Sequence, residues 1–339
     1  MIGLEITRRC NLRCLHCNVG GTPQKNIIET DKELSLDEIK ALIDSVKVMG
    51  TKYIGISGGE PFLRKDIYDV IAYIKEKELG LHISSNGICI TDKDARRINE
   101  LGLDAISISL DSVTPQLHDK IRGVNGAFSK TVKAIENLQF YNDGRMRVGI
   151  SSIMTDLNIG ELPSIVDFAK SLGVDAIRFQ PCHIPLAYNG MDKEGMLSIG
   201  KDRLEDLDNI IESIIEKTQK NKIYTNSHIY LRGIKKYYKN PHAIDVECFA
   251  GYISCGISSI GNVIPCAFMP NIGNIRDETF SKIWTSQKFN TVRKDIKKGN
   301  CPKCWMGCYI EPSLRGSLKF ALCNPFKYAN DLRFGLRSI

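Results

Sequence analysis

The chain lacks any apolar run near the roughly 18 residues that a membrane-spanning helix needs. It has no internal repeat and no low-complexity tract, which sets aside solenoids and flexible linkers. Its opening, Met1–Ile6, has strand character and no signal-peptide core, so a soluble cytoplasmic protein is expected. Charge of one sign is also scarce: the formal balance over 339 residues is only +7. At 42% hydrophobic and 25% charged, the composition excludes a disordered or collagen-like chain. The length suits two domains, or one large α/β barrel with an appendage.

Cysteine is what the chain has in quantity, with 12 in all. A cytoplasmic setting disfavours structural disulfides, so clustered thiols there point to metal or redox chemistry. Three stand at 10, 14 and 17, and seven at 248, 255, 266, 301, 304, 308 and 323; Cys89 and Cys182 stand apart. Charge is uneven too. Residues 281–339 carry twelve Lys/Arg against three Asp/Glu, a basic tail of the kind that binds nucleic acid.

Residues 4–180 alternate β-rich runs with amphipathic helical stretches. Strands are expected at Leu4–Thr7, Tyr53–Ser57, Leu81–Ser84, Ala105–Leu110, Val148–Ile153 and Ala176–Gln180. Helices are expected at Ser35–Met49, Ile67–Leu79, Asp92–Leu101, Ala127–Tyr141 and Ile159–Leu172. Glycine follows several of them, at Gly50, Gly80, Gly102 and Gly173, as a C-terminal cap. Six strand–helix units imply a parallel sheet too short to close an eight-unit barrel, so an open partial barrel is expected, with function at the C-terminal strand ends. Residues 181–200 have the composition of a loop or lid, and a polar helix is expected over 201–220. From Cys248 onward the texture is short strands, turns and cysteines.

Cys10, Cys14 and Cys17 form a C-x3-C-x2-C loop directly after the first strand. Three thiolates on one loop suit three irons of a [4Fe–4S] cluster and leave the fourth open, the mark of a centre that does chemistry. A zinc site with a remote fourth ligand is the plainer alternative. His16, between Leu15 and Cys17, is expected to point out of the loop. With Gly58-Gly59-Glu60-Pro61 after the second strand, this loop resembles the radical S-adenosylmethionine (radical SAM) superfamily. Ser84-Ser85-Asn86-Gly87, Ser107–Asp111 and His118–Gly123 fit the same pattern.

The resemblance implies a partial (β/α)6 barrel over 1–200, a helical linker over 201–246, a cysteine-rich domain over 247–325 and a tail over 326–339. It implies that Gly58, Gly59, Glu60 and Pro61 receive the methionine amine of S-adenosylmethionine. Ser85, Asn86 and Asp111 would reach the ribose, and Arg122 the methionine carboxylate. The plainer readings are a turn at Asn86-Gly87, a helix cap at Asp111 and a surface ion pair at Arg122. Cys182, at the mouth of the barrel, is either a hydrogen donor or an ordinary half-buried thiol, and Cys89 is expected in the core.

Cys248, Cys255, Cys266, Cys301, Cys304, Cys308 and Cys323 resemble the SPASM/twitch extension, which holds one or two auxiliary [4Fe–4S] clusters. The spacing suggests one set from Cys301, Cys304, Cys308 and Cys323 and a second from Cys248, Cys255 and Cys266; a zinc ribbon is the alternative. Such a cluster with four thiolates carries about −2, which offsets the basic tail and makes nucleic acid an unlikely partner. The family resemblance implies a 5′-deoxyadenosyl radical that takes a hydrogen atom from substrate, and a reductant such as flavodoxin or ferredoxin. A peptide or protein side chain is the leading expectation, to be oxidised or cross-linked. A sugar, a tetrapyrrole side chain or a lipid is the alternative, and an iron–sulfur electron carrier or zinc-bound regulator the non-enzymatic one.

Overall fold

The structure, a computed structural model, describes residues 1–19, 32–183, 196–240, 242 and 245–317. Most of the expected lid, Cys323 and the tail lie outside the described residues.

Six parallel strands, β1 (Ile2–Glu5), β2 (Tyr53–Ser57), β3 (Gly80–Ser85), β4 (Ala105–Ser109), β5 (Arg147–Met154) and β6 (Ala176–Pro181), stand side by side in sequence order. The crossover helices are α1 (Leu36–Val48), α2 (Ile67–Glu76), α3 (Asp92–Glu100), α4 (Pro115–Arg122), α5 (Ala127–Tyr141) and α6 (Leu162–Ser171). The result is the open, partial (β/α)6 barrel. The first helix begins with a capping box: Ser35 Oγ accepts from Glu38 N at 3.2 Å, and the Glu38 carboxylate accepts from Ser35 N at 2.7 Å. Glycines 50, 102 and 173 take the left-handed conformation after their helices, but Gly80 does not; Glu78 does so instead. Gly80 opens the third strand, where any Cβ would lie 2.2 Å from the Tyr53 ring.

The strands alternate strictly. Ile54, Ile56, Leu81, Ile83, Ile106, Ile108, Val148, Ile150, Ile177 and Phe179 are buried under the helices. The opposite face carries Gly55, Ser57, His82, Ser84, Ser107, Ser109, Gly149, Ser151 and Arg178. A parallel sheet buried on both faces reads as continuous hydrophobic sequence. On the other face Ser57, Ser84 and Ser109, small residues near the C-terminal strand ends, instead line a cavity.

The rest of the chain departs from expectation in two ways. First, the 201–246 stretch is part of the body: α7 (Asp206–Asn221) packs on the sixth helix, and α8 (His228–Lys239) packs on the seventh. Second, the cysteine-rich region continues the same sheet. Strand β7 (Cys255–Ile257) pairs parallel with the first strand, Ile2 opposite Cys255. Then β8 (Asn262–Ile264) and β9 (Gly273–Asn274) follow antiparallel. It is also more helical than its texture suggests, with α9 (Phe280–Thr285), α10 (Gln287–Lys298) and α11 (Gly307–Gly316). No helix among the described residues is long and apolar enough to cross a membrane.

Candidate cluster and cofactor site

The cysteine loop is strapped to the fourth helix: Arg13 N donates to Arg122 O at 3.1 Å, and Leu15 N to Ile121 O at 2.9 Å. Cys17 N donates to Cys14 O at 3.2 Å, closing a turn that turns all three thiols toward one cavity. That cavity, about 310 Å³, lies at the C-terminal ends of the strands. Cys10, Cys14, His16 and Cys17 form one side; Ser57, Gly58, Gly59, Ser85, Asn86 and Arg122 form another; Cys182, His183 and Met306 close it.

The expected site residues divide into those that line this cavity and those that build it. Gly58, Gly59, Ser85, Asn86 and Arg122 line it. Glu60, Pro61 and Asp111 lie behind the wall. Glu60 is fully buried and its carboxylate accepts from Ser85 Oγ at 2.8 Å, Asn86 N at 2.7 Å and Phe62 N at 3.1 Å. Burial pushes its pKa up, against those three donors. It therefore clamps the end of the second strand to the end of the third. The glycines are also explained differently. A Cβ on Gly59 would lie 2.1 Å from Arg9 O, and one on Gly58, whose φ is +147°, would lie 2.3 Å from Thr7 O. Gly59 N and Glu60 N donate to Thr7 O and Arg9 O, both at 2.7 Å. The two glycines let the backbone leading into the cysteine loop lie directly against the second strand, so they position the loop.

Arg122 is no surface ion pair. It is buried, and its Nη2 lies 2.7 Å from Asp111 Oδ2. Burial works against its charge, but Asp111 and the Cys14 sulfur more than offset this. Asp111 is no helix cap: its Oδ1 accepts from Ile153 N at 2.9 Å. His16 faces the cavity, correcting the expectation that it points away. Burial pushes its pKa down to about 4, so its imidazole is neutral. Cys89 is half-buried, with Asn11 Nδ2 donating to its sulfur at 3.3 Å, rather than a core thiol.

The residues fit the implied group. Arg122 Nε and His16 Nδ1 are buried without a hydrogen-bond partner among the described residues, and both belong to cavity-lining side chains. A charged amino-acid ligand would satisfy such groups. No three His, Cys, Asp or Glu side chains among the described residues are placed to hold a single metal ion. Zinc draws its ligands onto one atom, whereas a cluster takes each thiolate on a different iron.

The second cysteine group assembles around the eleventh helix. Cys301 and Cys304 lead into it and Cys308 lies in its first turn. Phe249 N, beside Cys248, donates to Ser313 Oγ at 3.0 Å; Ala267 N, beside Cys266, donates to Tyr309 Oη at 3.0 Å. Cys248 and Cys266 pack together in one cluster with Tyr309, and electrostatically each feels Cys301, Cys304 or Cys308. The structure brings five of these cysteines together across the expected division, Cys323 lying outside the described residues. Cys255 is not among them. It belongs to the main core, and its charged neighbours are the Met1 amine and Arg293.

Two features missed in the sequence join this site to the cavity. Trp305 N donates to His183 Nε2 at 3.1 Å, and Gly307 N to Gln180 Oε1 at 3.3 Å. Trp305 also stacks on Tyr230, and its Nε1 donates to Tyr230 O at 2.9 Å. Gly233, inside the eighth helix, makes that possible, since a Cβ there would lie 2.0 Å from the indole. A glycine within a helix pattern was the available signal. Met306, between Cys304 and Cys308, reaches the radical-side cavity.

Comparison with known proteins agrees. The radical SAM superfamily profile matches residues 4–169, and the SPASM iron–sulfur cluster-binding domain matches 248–309. The chain is 30% identical to the Fe-coproporphyrin III synthase of Methanosarcina barkeri, over 88% of its own length and 78% of that protein. It is 31% identical to the AdoMet-dependent heme synthase of Oleidesulfovibrio alaskensis, covering 90% of this chain and 79% of that one. The mycofactocin maturase MftC of Mycolicibacterium smegmatis is 28% identical over 88% of this chain and 74% of its own. In fold, the chain is similar to anSMEcpe with bound AdoMet (TM-score 0.67, 16% identity, 98% of this chain and 93% of that one). The chain belongs to the radical SAM superfamily, as an enzyme with an S-adenosylmethionine-binding barrel and a C-terminal SPASM iron–sulfur domain.

Proposed function

We propose that this enzyme takes a hydrogen atom from a side chain of an iron tetrapyrrole. The observation that carries the reading is the degree of similarity: two tetrapyrrole synthases are 30–31% identical across 88–90% of the chain, against 28% for the mycofactocin maturase. The cavity wall supports it, because His16, Cys182 and Met306 are of the types that ligate porphyrin iron. Peptide modification is the second reading, favoured by the mycofactocin maturase.

In this reading Cys10, Cys14 and Cys17 hold the radical cluster. Gly58, Gly59, Ser85 and Asn86 would hold S-adenosylmethionine, and Arg122 would receive its carboxylate. Bound and reduced, such a cluster would supply the electron that cleaves the cofactor to methionine and a 5′-deoxyadenosyl radical. The chain's own contribution is to orient substrate over that centre and keep water away. Four of Cys248, Cys266, Cys301, Cys304 and Cys308 would supply the ligands of one auxiliary cluster, one thiolate on each iron. Cys182 stands where a thiol can return a hydrogen atom to substrate.

The test is anaerobic incubation of the reconstituted enzyme with S-adenosylmethionine and dithionite, with and without iron coproporphyrin. Porphyrin should shift its own visible spectrum on binding and raise 5′-deoxyadenosine formation. No binding and no stimulation, with stimulation by a peptide instead, would transfer the assignment to the second reading.

A further inference from the structure

The auxiliary site lies beneath a basic surface that neither the barrel nor the cavity uses. From Lys282 to Lys303 the chain has seven Lys/Arg and one Asp, and Lys282, Lys288, Lys294, Lys297 and Lys298 are exposed. Lys294 and Lys298 lie one turn apart on the tenth helix and form no ion pair among the described residues. That helix ends at Gly299, two residues before Cys301. Lys303 folds back over the helix end, its Nζ 2.3 Å from where a Cβ on Gly299 would be. Lys297 pairs at 3.2 Å with Glu247, the residue before Cys248, and lies 5.8 Å over the Phe249 ring. The positive groups are thus fastened to the segments that carry Cys248, Cys301 and Cys304.

The centre of this surface is apolar. Tyr252 is 37% and Ile253 45% exposed, and Arg293 and Lys297 lie 5.6 and 5.9 Å over the Tyr252 ring. A small apolar centre inside a basic rim fits a transient, charge-steered protein partner. It fits nucleic acid poorly, since the chain's own cations cover the aromatic face on which a base would stack. Access distinguishes the two cysteine sites as well. Cys14 is buried in the cavity wall, whereas Cys301 lies between exposed Asn300 and Pro302.

We propose that the face built by the tenth helix, Tyr252 and Ile253 is the docking surface for an acidic one-electron carrier protein of the flavodoxin or ferredoxin type. The carrier gives up one electron and the auxiliary cluster gains it; no bond is made or broken. This rests on the reading that four of the five cysteines hold that cluster.

The test uses reconstituted full-length enzyme and its Lys294→Glu/Lys298→Glu variant. The rate at which flavodoxin hydroquinone reduces the clusters is followed by stopped-flow absorbance at several salt concentrations. The variant should be slower by about tenfold or more at low salt, with a flatter salt dependence. Dithionite-driven formation of 5′-deoxyadenosine should be unchanged. A matched pair of charge reversals on the barrel, Lys93→Glu/Lys130→Glu, should leave the flavodoxin rate within about twofold of wild type. Carbodiimide cross-linking to flavodoxin should map to the tenth helix. Equal rates in variant and wild type, an equal fall in the barrel control, cross-links elsewhere, or a defect confined to oligonucleotide binding would each overturn the proposal. Iron analysis of the wild type separately reads whether the auxiliary cluster is there; its absence would refute the ligand reading instead.

Discussion

The two cysteine sites of this enzyme are built in opposite ways. The radical site draws its three thiols from eight consecutive residues on one loop, held by a strand on one side and a helix end on the other. The auxiliary site gathers Cys248, Cys266, Cys301, Cys304 and Cys308 from a 61-residue span (positions 248 to 308) around one helix N-terminus. In the first, spacing alone places the donors. In the second, the donors converge because the segments that flank the β7–β8 hairpin are hydrogen-bonded to the eleventh helix. Local spacing is therefore a sound guide to one site and a misleading one to the other.

The sharpest break comes from Cys14→Ala. It should abolish 5′-deoxyadenosine formation and remove about four irons, yet leave about four in the auxiliary site. Retained cleavage would dissolve the contrast altogether. Next in size is a matched pair in the second site. Cys248→Ala/Cys266→Ala, which leaves three thiols for four irons, should cut iron from about eight to about four per chain, whereas Cys255→Ala should keep all eight. The Cys255 variant should lose only about 1–2 kcal/mol of stability for its small core cavity. Twelve irons in wild type, falling with Cys255→Ala, would restore a two-cluster arrangement.

A smaller effect separates the cofactor wall from its support. Asp111→Asn leaves the Arg122 guanidinium buried without its anionic partner, so it should cost about 3–5 kcal/mol in urea unfolding. A loss of cofactor affinity with full stability would instead make Asp111 a direct ligand. The smallest effect concerns the contact between the two regions. Arg276, after the ninth strand, holds the Glu38 carboxyl down to about 2. Glu38 is about one-third exposed, so the pair is worth only about 0.5 kcal/mol. The folded value is depressed, so this contribution is present above roughly pH 4.5 and lost as pH falls toward 2. The stability gap between wild type and Arg276→Gln should close over that window in thermal melts.

The barrel was largely legible. Period-2 and period-3.6 patterns place the six strands and five of the crossover helices within a few residues, because each is short-range. The fourth helix was missed: Pro115–Arg122 is only eight residues long, and its single core contact, Ile121, leaves little apolar stripe to read. Gly58, Gly59 and Glu60 were found by motif, but their work is done against Thr7, Arg9, Ser85 and Asn86, and no spacing rule reports which backbone a glycine must admit. The cysteine-rich region was least legible. Its helices are short and charged, and the side of the hairpin on which Cys255 falls is decided by register with the first strand.

That register has a consequence for the order in which the molecule comes together. The first strand lies between β2 and β7, one partner some 50 residues downstream and the other some 250. During synthesis its outer edge stays unpaired until the hairpin after Cys248 has emerged, and non-local pairings of that kind form slowly. The radical loop grows directly from this strand. A finished bed for its cluster therefore exists only once about three-quarters of the chain has left the ribosome, which places metal loading late in synthesis or after it.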